Sequence, residues 1–189
     1  MPPSLSTSVG GIKLSSCLYN ASGPRSGTVE ALKKVAASSG TGAVLSKSAT
    51  ISSQSGNPLP RVHHDEDQMA SYNSEGLPNQ GIDYYIQADN VTEIMAPAPE
   101  KPYMVSLSGK TLDDNCVMLK RILDNPGTIA AIELNLACPN IIGKPTLAYD
   151  MEQLESVMSR ITQDFKAYYS KNTKPVFGGM CNEWHDIGN

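Results

Sequence analysis

The sequence predicts an α/β protein built on a parallel sheet. Two observations carry this. Short apolar runs alternate with amphipathic helical segments along the 189 residues, and polar residues gather where a run ends and the next helix begins. Right-handed crossovers then allow either a doubly wound sheet or part of a (β/α)8 barrel. In both, the strand-to-helix loops carry the chemistry.

Each element has its own signal. A first strand is expected over residues 17–20, ending in Ala21-Ser22-Gly23-Pro24. Thr28 is suited to cap a helix in which Val29, Leu32, Val35 and Ala36 recur at helical spacing, closed by Gly40 and Gly42. The second strand covers residues 43–48. Residues 50–81, rich in Ser, Asn, Pro and Gly, form a loop too long to be a mere connector, so it is either disordered or functional. Residues 82–95 read as helical. The third strand, 101–107, is led by Tyr103, Val105 and Leu107. Thr111 with Asp114 makes a capping box for a helix carrying Leu112, Leu119, Ile122 and Leu123, which ends at Asn125-Pro126-Gly127. In the fourth strand, 131–136, Ile132, Leu134 and Leu136 alternate with Glu133, Asn135 and Ala137. Period two puts the first set under the covering helices and the second toward the barrel interior or its mouth. Asp150 with Gln153 caps the last long helix, whose stripe is Met151, Leu154, Val157, Met158, Ile161, Phe165 and Tyr168. A fifth strand is expected at 174–178.

Composition narrows the class. With 15 basic and 19 acidic side chains the net charge is −4, which argues against a nucleic-acid footprint and against an anionic membrane surface. An apolar share of 40% with 18% charged residues is too apolar for a disordered chain. No apolar run approaches the ~18 residues of a membrane span. The N-terminus has neither a basic region nor an apolar stretch of the secretory type. The four cysteines, Cys17, Cys116, Cys138 and Cys181, form no C-x-x-C pair, so neither a zinc site nor a disulfide framework is indicated. A cytosolic chain with reduced thiols fits this pattern.

The polar residues at the strand ends each admit a plain reading and a chemical one. Cys138 reads as a buried small hydrophobe or as a thiol acting as base or nucleophile, flanked by Asn135 and Asn140, whose amides can meet a planar polar ligand. Lys47 reads as a snorkelling surface lysine or as a fixed charge for a carboxylate or a cofactor ring. The segment Asn73-Ser74-Glu75-Gly76-Leu77-Pro78-Asn79 reads as a turn or as a backbone cradle for an anion. His63 and His64, followed by Asp65, Glu66 and Asp67, fit a solvated loop better than a metal site. Arg61 can simply be exposed.

Taken together, six segments in order resemble the soluble class 1A dihydroorotate dehydrogenases. They are Asn20-Ala21-Ser22-Gly23, Leu45-Ser46-Lys47-Ser48-Ala49-Thr50, Gly56-Asn57-Pro58-Leu59-Pro60-Arg61, Tyr72 to Asn79 as quoted above, Glu133-Leu134-Asn135-Leu136-Ala137-Cys138-Pro139-Asn140 and Gly143-Lys144-Pro145. The resemblance covers residues 15–178. A cysteine in the Asn135 to Asn140 loop fits class 1 rather than the membrane-linked class 2. The resemblance implies a (β/α)8 barrel, here only about its first five strands, with FMN at the strand C-termini. It implies an oxidoreductase of pyrimidine biosynthesis that turns (S)-dihydroorotate into orotate, with fumarate as acceptor, in a cytoplasmic homodimer. By the same resemblance Cys138 is the catalytic base, and Lys47 touches both flavin and orotate. Substrate contacts fall at Asn73, Ser74, Glu75, Gly76, Leu77, Asn135 and Asn140. Flavin contacts fall at Ala21, Ser22, Gly23, Ser48 and Asn135. No metal is implied.

This sequence departs from the family pattern at Glu75, where methionine is usual, and after Pro175, where the flavin-binding lysine of the pattern falls at Met180. The expected division is therefore residues 1–178 as the N-terminal part of the barrel and 179–189 as a divergent tail. That tail is the signature of a fragment, a frameshift or an altered splice. It makes a catalytically inactive half-barrel, unstable or acting only as a binding partner, the competing expectation.

Overall fold

The computed structural model describes residues 4–67, 69–125, 129–136, 149–171 and 176–180, with the backbone alone for 165–171 and 176–180. The chain opens on an antiparallel hairpin of β1 (Thr7–Val9) and β2 (Ile12–Leu14). Nothing apolar announces β1, whose residues are all exposed, and the sequence reading did not anticipate it.

The strand expected at residues 17–20 is not formed as such. The segment lies along β3 (Val44–Leu45), but a side chain replaces the backbone ladder. The Leu45 N–H donates to Asn20 Oδ1 at 2.9 Å, and Asn20 Nδ2 donates to the Leu45 carbonyl at 2.7 Å. The Gly42 N–H donates to the Leu18 carbonyl at 2.8 Å. An amide side chain has the donor and acceptor of a peptide group, so Asn20 satisfies the edge of β3 without strand pairing.

A 3-10 turn, Pro24–Ser26, leads into α1 (Val29–Ala37). Thr28 caps it as expected, its Oγ1 accepting from the Ala31 N–H at 3.2 Å. The helix stops at Ser38, before the expected glycines. There Lys101 Nζ donates to the Ala36 and Ser38 carbonyls, setting a cation on the negative end of the helix.

The second expected strand, 43–48, shortens to Val44–Leu45, yet the extended path persists. The N–H groups of Val44, Ser46 and Ala49 donate to the carbonyls of Pro102, Met104 and Ser106 at 2.8–3.0 Å. The long segment 50–81 is ordered where described, and folds into a hairpin of β4 (Val62–Asp65) and β5 (Ala70–Asn73). The helix expected over 82–95 is two helices, α2 (Ile82–Ile86) and α3 (Ala88–Met95). Gln87, with φ −61° and ψ 126°, is extended between them and breaks the run. This bend keeps Ile82, Tyr85, Ile86, Val91, Ile94 and Met95 all on the core side.

The rest follows the expected order: β6 (Tyr103–Leu107), α4 (Leu112–Asp124), β7 (Ile129–Asn135), α5 (Met151–Lys171) and β8 (Val176–Met180). The capping box at Thr111 and Asp114 is complete in both directions. Asp150 caps α5, accepting from the Gln153 N–H and side chain. In α5, Leu154, Val157, Met158 and Ile161 pack on the core. Met151 departs from its expected stripe and is 71% exposed, because the helix meets the core only from Leu154 onward. Phe165 and Tyr168 have side chains outside the described set, as does the backbone of Lys174 and Pro175.

The strands order as β3-β6-β7-β8, all parallel. Among the described residues this sheet does not close on itself; it is part of a barrel. Helices α1 to α5 cover one face. There Leu32, Val44, Ile94, Val105, Leu107, Leu119, Ile132, Leu134 and Ile161 form the core, each at most 2% exposed. Burying each such side chain contributes about 1.5–3 kcal/mol. On the other face, toward the C-terminal ends of β6 and β7, the described side chains Ser106, Glu133 and Asn135 are polar.

Candidate active site at the strand ends

The polar face follows from the alternation on β7. Ile132 and Leu134 point to the helices, and Glu133 and Asn135 to the opposite side, where the run after β3 supplies Ser48, β6 supplies Ser106 and the loop after Ala21 supplies Ser22. A connected set of hydroxyls results. Ser106 Oγ donates to Glu133 Oε1 at 2.8 Å and Ser22 Oγ donates to the same oxygen at 3.2 Å. Ser48 Oγ donates to Ser22 Oγ at 3.0 Å and lies 3.0 Å from Ser106 Oγ. Asn135 Nδ2 donates to Ser48 Oγ at 3.0 Å. No buried side-chain polar atom among the described residues lacks a partner. Burial raises the Glu133 carboxyl above its ordinary proton affinity, and the two serine bonds oppose that shift only in part. Tyr19 is raised too, first by burial and then by the Glu133 charge.

Lys47 lies at the end of the extended run that begins in β3. It is 7% exposed, so the plain reading as a snorkelling surface lysine is set aside. Its Nζ donates to the Ser22 carbonyl at 2.9 Å, and its backbone N–H donates to the Ser26 carbonyl at 2.9 Å. The segment from Ala21 to Ser26 is thereby pinned across the end of β3. Ala21 is exposed, and a Cβ built on Gly23 meets no atom within 4 Å, so protein packing does not demand the glycine there.

The loop from Asn73 to Asn79 is organised differently. Asn73 ends β5 and is exposed. The Ser74 N–H donates to the Arg61 carbonyl, the Ser74 carbonyl accepts from Asn57 Nδ2, and the Glu75 carbonyl accepts from the Asn57 N–H. Arg61 is not simply exposed. Its Nε pairs with Glu75 Oε2 at 3.1 Å, and a terminal guanidinium nitrogen donates to the Ser55 and Asn57 carbonyls at 2.6 and 3.1 Å. These bonds hold a left-handed pair: Gly76 at φ 69° and Leu77 at φ 59°. A Cβ on Gly76 would sit 2.4–2.6 Å from Asn57 atoms, so only glycine fits. Leu77 adopts this region against its side chain, held by burial (5% exposed) and by Asn79 Nδ2 on its carbonyl.

The structure thus brings Ser22, Lys47, Ser48 and Asn135 into one bonded cluster. Ser74, Glu75 and Gly76 are tied to residues 54–61 instead, while Asn73 pairs with Val62 of β4 and the Leu77 carbonyl accepts from Asn79. They connect to the Lys47 run through Asn79, whose Oδ1 accepts from the Thr50 N–H at 3.1 Å. Cys138, Asn140 and the Gly143-Lys144-Pro145 segment lie outside the described residues. Met180, in register with Asn135, is the last residue of β8. His63 and His64 are exposed on β4. Sequence reasoning placed Glu133 on the inner face but did not single it out, and it missed Ser106. The alternation of β6 and β7 was the available signal. For Glu75 no signal in the sequence named Arg61 as its partner.

These features define the class: an α/β barrel-type chain whose buried polar groups meet at the C-terminal strand ends. The family model described as dihydroorotate dehydrogenase matches residues 4–181. A putative dihydroorotate dehydrogenase A (fumarate) of Streptococcus agalactiae is 38% identical over 168 residues, 89% of this chain and 51% of that protein. Dihydroorotate dehydrogenase A (fumarate) of Lactococcus lactis is 37% identical over 92% of this chain and 54% of its own length. Dihydroorotate dehydrogenase (fumarate) of Kluyveromyces lactis is 38% identical over 94% of this chain and 55% of its own. In fold, the chain matches the crystal structure of the Eimeria tenella DHODH in complex with ferulenol. The TM-score is 0.64 at 18% identity, covering 93% of this chain and 51% of that one. The chain belongs to the dihydroorotate dehydrogenase family, and it spans about half the length of the curated relatives it matches.

Proposed function

We propose that the protein carrying this chain oxidises (S)-dihydroorotate to orotate in pyrimidine biosynthesis, with FMN as cofactor and fumarate as final acceptor. The observation that carries the proposal is the bonded cluster of Lys47, Ser22, Ser48 and Asn135. It joins, on one buried polar face, residues that the family resemblance assigns to flavin and substrate. The names of the bacterial and yeast relatives support fumarate as the acceptor.

The donor set suits a flavin. An ammonium and an amide offer the hydrogen bonds that a polar ring edge accepts, and the bare backbone at Gly23 allows a flat group to approach. Ala21, Ser22, Gly23, Lys47, Ser48 and Asn135 would hold FMN. Bound there, FMN would supply the acceptor for the hydride from C6 of dihydroorotate and the electron pair with which fumarate, taking up two protons, would become succinate. The chain's own work is the rest. Cys138 takes the proton from C5. Lys47 holds the substrate carboxylate and offsets developing negative charge. Asn73, Ser74, Glu75, Gly76, Leu77, Asn135 and Asn140 orient the ring. The complete protein acts as a cytoplasmic homodimer.

A second reading applies to the 189 residues by themselves, and the open sheet favours it: alone they form an inactive half-barrel. The test of the main reading is anaerobic mixing of dihydroorotate with the FMN-bound protein. Bleaching of the flavin with orotate formed, reversed by fumarate, is the expected result. Bound flavin that dihydroorotate leaves oxidised overturns it.

A further inference from the structure

The hydroxyl chain on the polar face has a direction, and a proton count fixes it. Ser22, Ser48 and Ser106 have one O–H proton each. Glu133 Oε1 accepts from both Ser22 and Ser106, at 3.2 and 2.8 Å, which commits those protons. Ser48 Oγ lies 3.0 Å from both Ser22 Oγ and Ser106 Oγ, and since neither has a proton left to give, the Ser48 proton goes to one of the two. With its proton spent, Ser48 Oγ can only accept from Asn135, so the amide must turn Nδ2 toward it, as it does at 3.0 Å. The opposite amide orientation would leave Ser48 Oγ facing Asn135 Oδ1 without a proton, in addition to the one proton-free contact that the three serines already hold.

We propose that Glu133 is a positioning residue: its Oε1, as the shared acceptor of Ser22 and Ser106, which both contact Ser48, sets the amide orientation of Asn135. This rests on the reading above that Asn135 contacts flavin and orotate. An amide presents a donor at one end and an acceptor at the other, so its orientation decides which ligand atoms it matches. Glu133 touches no substrate atom in this role. A glutamine keeps an acceptor at Oε1 and preserves the chain. A leucine removes the acceptor, frees the Ser22 and Ser106 protons, and lets Ser48 donate to Asn135.

The test follows the Asn135 side-chain NH2 resonance in the full 189-residue chain labelled with 15N, assigned by its loss in Asn135→Asp. Solution spectra are used if the chain is dispersed and magic-angle-spinning spectra if it associates. Glu133→Gln is expected to keep the wild-type resonance. Glu133→Leu is expected to move it and to speed its hydrogen exchange about tenfold, the equivalent of one lost hydrogen bond. The double variant Ser22→Ala/Ser106→Ala, which removes both hydroxyls between Ser48 and Glu133, is expected to act like Glu133→Leu, and either single variant, which leaves one route from Ser48 to Glu133, like the wild type. An Asn135 resonance unchanged in both Glu133→Leu and the double serine variant, whatever their thermal stability, overturns the proposal. So does a resonance displaced as far by Glu133→Gln as by Glu133→Leu. None of these readouts needs flavin, so a protein that fails to bleach with dihydroorotate refutes the proposed function and leaves this inference standing.

Discussion

Lys47 and Glu133 are the two buried charges of the polar face, and each makes a separate prediction. Lys47 sits on the Ser22 carbonyl at 7% exposure, so its charge is placed by the fold. Lys47→Ala is expected to weaken orotate binding by roughly ten- to a hundredfold, the range for a hydrogen bond to a charged group. Flavin reduction is expected to slow in step. Titrating orotate against flavin absorbance measures the first, and wild-type affinity would return Lys47 to a structural role. Glu133 bears on stability. Its proton affinity is raised by burial, so the folded protein holds the proton at pH values where the unfolded chain has released it. Its contribution is fully present below the ordinary pKa of 4.5 and is lost as pH rises through the higher folded value. Glu133→Gln is expected to flatten that fall in melting temperature, and an unchanged slope would assign it to another group. At this scale the sequence was informative about side-chain direction, because strand period two sent Glu133 and Asn135 to one face. It was silent on which polar side chains would bond there, since Ser22, Ser48 and Ser106 belong to three separate segments that meet only through the sheet.

The elements show where local signals suffice. Helix starts were legible because the caps at Thr28, Thr111 and Asp150 act over three residues. Thr111→Ala is expected to cost about 1 kcal/mol, read as a lower urea midpoint at constant slope. Helix 82–95 was not legible as two pieces, because its apolar spacing continues through Gln87 and only tertiary packing favours the bend there. The segment at 17–20 was misread because Asn20 pairs β3 with its side chain, which no alternation pattern reports. The hairpin of β4 and β5 escaped notice because both strands are largely solvent-exposed. Its base is held by Arg61 on Glu75, a pair of 23% and 11% side-chain exposure. Arg61→Ala leaves a largely buried carboxylate without its cation and is expected to destabilise the loop by about 2 kcal/mol. Limited proteolysis between residues 54 and 79 reads this out. The double variant Arg61→Ala/Glu75→Gln is expected to recover part of the loss, and simple additivity of the two changes would show that the pair is not coupled.

At the scale of the molecule the governing fact is a parallel sheet that is open among the described residues. The outer edge of β3 is partly satisfied by Asn20 and the Leu18 carbonyl, whereas β8 is the last described strand of the order β3-β6-β7-β8. A parallel edge with unpaired N–H and C=O groups invites association. The 189 residues alone are therefore expected to self-associate in sedimentation velocity and to leave excess FMN unbound, and a colourless state is the simplest sign. A monodisperse monomer with stoichiometric flavin would show that the half-barrel suffices. The central claim, however, concerns the chemistry of the strand ends, and flavin absorbance under anaerobic conditions tests it most directly. The protein for this measurement is the chain completed by co-expression with the unmatched half of the Lactococcus lactis relative. Dihydroorotate is expected to bleach its bound FMN, and Cys138→Ala is expected to retain FMN but bleach ~10²–10⁴-fold more slowly, the range for loss of one general base. Bleaching at the wild-type rate in Cys138→Ala, or bound FMN that dihydroorotate does not reduce, would contradict the account.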